Sequence, residues 1–441
     1  MVSVLDNIVA EITPAGRAAV SGIRVSGKDS KQIIENIFNI TIDGERETRK
    51  ARFVDHDLDD VVVIYYQAPH SYTGEDVCEI FCHGNPSVVN NIINAVLAVK
   101  NYRIRLASPG EYTKRAYLNG KMDLLQAEAV VDVINSSSNT ALKYRSRMLK
   151  GGLSGILSEV KQDILDIATH LELEIDFEEE DYRFDHSSSI KMVDRSLDKI
   201  KGLIDSCSRF EFLSKEIKVV IVGKANAGKS SLFNRVIEHE RSIVHHLPGT
   251  TRDYIDAEVF VDGLNITFVD TAGFRDGASS EVEKQGLKKI DELINDAALI
   301  VEISENDDYV FDSKKNAIKV RNKIDVTLPK KRDKGVFYVS ALTGEGVGGL
   351  KKGVAAFLKK DLEFVDERQD FYLLTKRQKG AITVLSKEIH ELHNAISSKQ
   401  PIDAVSFVAR RCILIIDELM GKVQATDEVL DVLFSRFCIG K

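Results

Sequence analysis

Residues 217–237 read IKVVIVGKANAGKSSLFNRVI. An apolar run ends on glycine, a short loop follows, and helical periodicity then begins. A segment that is apolar on both faces is the mark of a strand buried in a parallel sheet. Strand before and helix after form the context that the phosphate-loop spacing of GKANAGKS, Gly223 to Ser230, requires. From here to about residue 360 strand-like and helix-like segments alternate. That predicts an α/β domain with a doubly wound, mostly parallel sheet.

The loop's chemistry follows from its residue types. Across Asn226, Ala227, Gly228, Lys229, Ser230 and Ser231, small residues let backbone N–H groups turn onto phosphate oxygens. Lys229 is placed to reach the β- and γ-phosphates, and Ser230 to ligate Mg2+. DTAG, Asp270 to Gly273, follows the apolar LNITFV. Asp270 there is expected to hold Mg2+ through its water shell, and the Gly273 amide to meet the γ-phosphate. PGTTRD supplies Thr250 and Thr251, where a switch loop completes the Mg2+ shell. In NKID, Asp325 can accept bonds from the N1–H and 2-amino group of guanine, and adenine offers neither donor. Asn322 and Lys323 buttress that loop, and VSALTGEG offers Ser340 and Ala341 to cover the base. In this order the strings predict a GTPase domain.

The hydrolytic apparatus stays open on these residues. A Gln that orients water in Ras-like enzymes would fall at Phe274, which cannot do so. Glu281 and Glu283, in SSEVEKQG, are equal candidates to reach the water. Transition-state charge needs a cation: Arg252, Arg275, or a metal ion held by Asn226.

The rest of the chain frames this domain. Its 441 residues predict two or three domains. Residues 1–118 read as short strands and helices, among them AAVSGIRVSG and DDVVVIYYQA as strands and PSVVNNIINAVLAV as a helix. Residues 119–214 take on long helical periodicity, which returns over 362–441. The simplest layout inserts the α/β domain, 215–361, into a discontinuous helical domain. The net charge of −8 argues against a general nucleic-acid coat but allows a local basic patch. No apolar run approaches a membrane span, no signal peptide is expected, and five scattered cysteines fit a reducing cytoplasm.

Two cysteine features invite sharper readings. In DVCEIFCHG, Cys78 and Cys82 have no second ligand pair at finger spacing, so buried structural cysteines are the stronger reading than zinc. Strand alternation puts Cys78, Ile80 and Cys82 on one face and Glu79 and His83 on the other. The ending FCIGK resembles a prenylation box only loosely: Gly440 and Lys441 break the pattern after Cys438.

Taken together, these strings resemble the MnmE (TrmE) family of tRNA-modification GTPases over essentially the whole chain. TPAGRAAVSGIRVSG, SYTGEDVCEIFCHGN, PGEYTKRAYLNGKMDLLQAEAV and FCIGK carry the specific part, and PGTTRD and DTAGFRD the part shared with GTPases at large. The resemblance implies an N-terminal α+β domain that binds a one-carbon tetrahydrofolate, such as 5,10-methylenetetrahydrofolate or its analogue 5-formyltetrahydrofolate, and forms a homodimer. Its folate positions match Arg24, Glu79, Lys121 and Lys441. It implies K+ held by Asn226 and by backbone carbonyls near His245 and Leu247, with the Thr250–Thr251 loop close by, in place of an arginine finger. It selects Glu283 as the catalytic glutamate and brings Cys438 beside the folate one-carbon group. A pterin shows the same 2-amino-4-oxo edge as guanine, so Glu79 is expected to do for folate what Asp325 does for GTP.

The implied activity is modification of carbon 5 of the wobble uridine, position 34 of certain tRNAs, to an aminomethyl or carboxymethylaminomethyl group. The implied partner is the FAD- and NADH-using MnmG, in a heterotetramer or larger complex, away from any membrane. Departures include Lys224 and Ala225 for an expected Arg-Pro, Ser108 for an Arg before PGE, and the histidines His245 and His246. The stretch SENDDYVFDSKKNAIKV holds no clear helix. The competing function is a regulatory or ribosome-assembly GTPase without modification chemistry.

Overall fold

The structure is a computed structural model. It describes residues 6–53, 59–136, 138–176, 184–209, 217–224, 226–237, 255–271, 292–309, 316–327, 332–359, 372–423, 427–435 and 437–440.

The chain opens with a six-stranded sheet: β1 (Asn7–Glu11), β2 (Ala18–Ser26), β3 (Arg46–Phe53), β4 (Asp59–Tyr66), β5 (Val77–Gly84) and β6 (Ile104–Leu106). Its order is β3-β4-β5-β2-β1-β6, antiparallel except where β1 meets β6. Helices α1 (Ser30–Phe38) and α2 (Pro86–Leu97) cover one face. Pro86 starts α2 where a missing N–H costs nothing, and the Asn85 side chain caps it by accepting from the Ser87 amide at 2.9 Å. Alternation along β5 sends Cys78, Ile80 and Cys82 into the core with Ile33, Ile34 and Ile92, and turns Glu79 to the other face. Burial raises both thiols, that of Cys82 to about 11, which keeps them protonated and inert. Among the described residues no cluster of three or more His, Cys, Asp or Glu could hold a metal.

A short helix, α3 (Glu111–Leu118), leads into α4 (Leu124–Ile134), α5 (Asn139–Leu149), α6 (Gly152–Asp176) and α7 (His186–Arg209). The second sheet follows: β7 (Ile217–Gly223), helix α8 (Lys229–Ile237), β8 (Ile255–Val261), β9 (Leu264–Asp270), β10 (Leu299–Ser304), β11 (Ala317–Arg321), β12 (Val336–Tyr338) and helix α9 (Val347–Lys359). Its order is β12-β11-β10-β7-β9-β8, parallel throughout except for the edge hairpin β8–β9. Central β7 explains its own sequence. Val219 and Ile221 pack with Leu232 of α8 and Val354 of α9, while Val220 and Val222 pack with Val269 and Ile294 on the opposite face. The described residues between β10 and β11 carry no helix.

Three helices close the chain: α10 (Lys376–Ser397), α11 (Ile402–Met420) and α12 (Asp427–Phe434). Thr375 and Gln378 form a reciprocal capping box at the start of α10. Contacts group the chain into two compact units, one of Met1–Ile134, Ser146–Ile204 and Leu374–Lys441, the other of Asn135–Arg145 and Asp205–Leu373. In the second, the Asn139 amide donates to the Gly263 carbonyl at 3.0 Å, at the tip of the β8–β9 hairpin.

Candidate functional site

In the second unit the loop after β7 lies where the sheet order reverses direction, with β10 on one side of β7 and β9 on the other. That crevice is where open α/β sheets bind ligands. Asn226 adopts φ 63° and Gly228 φ 93°, which curls the loop backbone. The Lys229 ammonium donates to the carbonyls of Gly223 at 3.1 Å and Lys224 at 3.0 Å, across the mouth of the loop. Ser230 and Ser231 are exposed in the first turn of α8. Asp270 ends β9, buried, paired in register with Ile221 of β7. The next residue, Thr271, donates its hydroxyl to the Ile221 carbonyl at 2.8 Å, which ties the end of β9 to the strand beneath the loop.

The NKID segment is bonded directly to this loop. Asn322 is buried; its side-chain N–H donates to the Ala227 carbonyl at 2.9 Å and its oxygen accepts from the Ala341 amide at 3.0 Å. One amide thereby holds the phosphate loop and the Ser340–Ala341 loop in fixed relation. The Ser340 hydroxyl accepts from the Thr343 amide at 3.1 Å. Asp325 sits exposed in the turn that Lys323 begins, and Lys323 pairs with Glu305. Arg235 of α8 was not anticipated. It donates to the carbonyls of Ala341, at 3.1 Å, and Leu342, and so braces the same loop from the helix. Long-range side-chain-to-carbonyl bonds of that kind leave no periodic trace in a sequence. Thr250, Thr251, Gly273, Glu283, His245 and Leu247, and with them Glu281, Arg252, Arg275 and Phe274, lie outside the described residues.

The first unit brings a second set together. Arg24 of β2 and Glu79 of β5 are register partners, and the Arg24 guanidinium donates twice to Glu79 Oε1, at 2.9 and 2.7 Å. Both bonds fall on one carboxylate oxygen, leaving Oε2 outside the pair. The rings of Tyr72 and Tyr112 lie 5.0 and 5.3 Å from the Arg24 guanidinium carbon. The Tyr112 hydroxyl donates to the Arg24 carbonyl at 2.6 Å. Lys121 reaches the loop that carries Tyr72, donating to the Pro69 carbonyl at 2.8 Å. The tail comes to the same sheet: a β-carbon on Gly440 would fall 2.4 Å from the Glu11 carbonyl, one residue beyond the register partner of Arg24. Phe437 anchors the tail against Phe434 and Leu430, and Cys438 is exposed. Lys441 lies outside the described residues.

The sheet order, the phosphate loop and the Asn322 bridge define the class: a P-loop nucleotide-binding protein of Ras-like topology. Two family profiles cover the chain, GTP-binding protein TrmE N-terminus over residues 7–121 and MnmE helical domain over residues 124–438. The tRNA modification GTPase MnmE of Thermotoga petrophila is 33% identical, with 99% of this chain and 100% of that protein covered. Those of Pseudothermotoga lettingae and Geotalea uraniireducens are each 36% identical at the same coverage. The chain belongs to the MnmE family of tRNA modification GTPases, and is thereby an enzyme of the GTP-hydrolase class. Among the described residues no helix is long and apolar enough to cross a membrane.

Proposed function

We propose that this chain is a potassium-dependent GTPase that acts with MnmG on carbon 5 of the wobble uridine of tRNA, using a one-carbon tetrahydrofolate. The observation that carries the reading is the presence of two separate built sites in one polypeptide. One is the nucleotide cradle bridged by Asn322, and the other is the Arg24–Glu79 pair with the tail beside it. A plain switch has no use for the second.

In this reading Lys229 binds the β- and γ-phosphates, and Asp325 reads guanine. Ser230 and Asp270 supply hard oxygen donors suited to Mg2+, whose charge would stabilise the phosphate oxygens. Asn226, exposed at the loop's bend, would hold K+, and Glu283 would position water. Glu79 Oε2 is oriented by Arg24 through the other oxygen and would accept from the pterin edge, with Lys121 and Lys441 toward the rest of the folate. Cys438 would lie near the one-carbon group. We further propose the division 1–118 for folate binding and homodimerisation, 215–361 for GTP, and 119–214 with 362–441 as the helical domain. A cytoplasmic setting fits these roles.

The test is calorimetry of the purified chain with 5-formyltetrahydrofolate and with GTP, joined to mass spectrometry of wobble nucleosides from cells lacking the gene. Binding of both ligands and loss of the modified uridine are expected. GTP binding alone, with intact tRNA modification and GTP-dependent association with ribosomes, would return the protein to the switch class. GTP turnover in potassium and in sodium salts tests the ion; equal rates would remove Asn226 from that role.

A further inference from the structure

Helix α3, EYTKRAYL, has an odd burial pattern. Glu111, Lys114 and Arg115 are only 5%, 6% and 5% exposed, and Thr113 is 0% exposed. Buried charges gain little over apolar residues of the same volume, because desolvation offsets their attraction, although breaking one such pair is costly. Their partners show what they hold. Arg115 donates to both Glu75 oxygens at 3.0 Å, to the Asp6 carbonyl at 3.0 Å and to Glu111 at 3.0 Å. Glu75 also accepts from the Ser26 hydroxyl at 2.7 Å, and Ser26 lies two residues along β2 from Arg24. Thr113 shares a 2.8 Å bond with the Tyr72 hydroxyl. Just past the helix, Asn119 donates to the Thr73 carbonyl at 2.7 Å. Lys114 and Glu111 turn elsewhere, to Asp431 and Arg105, whereas the bonds to Glu75, Tyr72 and Thr73 all end on the segment 72–75, the segment that lays Tyr72 against Arg24.

We propose that Arg115 and Thr113 are positioning residues for the Arg24–Glu79 site: they fix the 72–75 segment so that Tyr72 holds the Arg24 guanidinium in the orientation that aligns Glu79. This rests on the reading of that pair as the pterin-binding site. Arg suits the task because its planar fork satisfies Glu75, Glu111 and a carbonyl at once, whereas a lysine ammonium is a single point charge.

The chain has no tryptophan, so a Tyr72→Trp variant carries a single reporter beside Arg24. Arg115→Lys is expected to weaken 5-formyltetrahydrofolate binding about tenfold, the loss of roughly one charge-assisted hydrogen bond. In the Tyr72→Trp background it is expected to raise acrylamide quenching of the tryptophan. A merely structural Arg115 lowers the melting temperature and leaves both readouts unchanged far below it. Should Arg115→Lys fail to fold, Thr113→Val removes only the Tyr72 hydroxyl tie and is expected to weaken binding about threefold. Unchanged affinity in either folded variant, or unchanged quenching for Arg115→Lys, overturns the proposal; Thr113→Val is read by affinity alone, because the Tyr72→Trp background lacks the hydroxyl that Thr113 binds. If the unmodified chain itself binds no 5-formyltetrahydrofolate, the functional reading fails instead, and the tryptophan reporter alone decides on positioning.

Discussion

The side-chain amide of Asn322 lies so close over Gly228 that a β-carbon there would fall 2.3 Å from its nitrogen. That nitrogen cannot swing away freely, because it is bonded to the Ala227 carbonyl, and Gly228 itself sits at φ 93°. Gly228→Ala therefore meets steric overlap and backbone strain of roughly 1–3 kcal/mol together. We expect it to weaken GTP binding by at least about tenfold, read by fluorescent-nucleotide titration. A variant that binds GTP like the parent chain would show that the Asn322 bridge does not shape the loop.

Asp325 is exposed in its turn. Asp325→Asn replaces two acceptors by one acceptor and one donor. GTP affinity should fall by about two orders of magnitude, the loss of two bonds to a charged acceptor. Xanthosine triphosphate, which has a 2-oxo group where guanine has an amine, should gain affinity. Parallel titration of the two nucleotides decides, and an unchanged preference for GTP would put base reading elsewhere.

Glu79→Gln keeps the shape of the Arg24 partner and removes its charge. The Arg24 bonds weaken, and the second oxygen no longer accepts two donors as a carboxylate does. Binding of 5-formyltetrahydrofolate should drop by about tenfold or more in calorimetry. Equal affinity would leave Glu79 as a strand carboxylate that merely neutralises Arg24.

Burial tends to raise the Glu111 carboxyl, but bonds from Arg105, the Ser108 amide and Arg115 outweigh it and hold it below its ordinary 4.5. A carboxyl depressed on folding stabilises the fold fully above its unfolded value and loses that contribution as pH falls through the folded one. The first unit should therefore lose melting temperature on acidification below about pH 4.5. Glu111→Gln should melt lower at neutral pH and respond less to acid across the same range. Parallel acid profiles for the two proteins would show that Glu111 carries none of this dependence.

Local chemistry made the nucleotide site readable in advance. The phosphate loop is a turn between a strand and the helix it feeds, so its residues are consecutive and their roles follow from residue type. The same holds for the faces of β5, where alternation alone separates Glu79 from Cys78. The second site was less readable without the family resemblance. Arg24 and Glu79 meet only because β2 and β5 pair in one register, 55 residues apart in the chain. The periodicity of EYTKRAYL does not reveal that its charges are buried and paired, as they are in helix α3. Arg235 and Tyr72 escaped notice for the same reason: their partners are distant carbonyls, rings and hydroxyls.

What residue order alone determined was everything governed by neighbours along the chain: a buried parallel strand, a tight glycine-containing loop that feeds a helix, an exposed carboxylate in its turn, and the helical texture around them. What folding in three dimensions decided was which distant groups share a site. Asn322 joins two loops, helix α3 bonds the segment that flanks Arg24, and the tail at Gly440 meets the end of β1 at Glu11. Short-range sterics and hydrogen bonding are written into consecutive residues. Register and packing arise only when separated segments compete for the same buried surface.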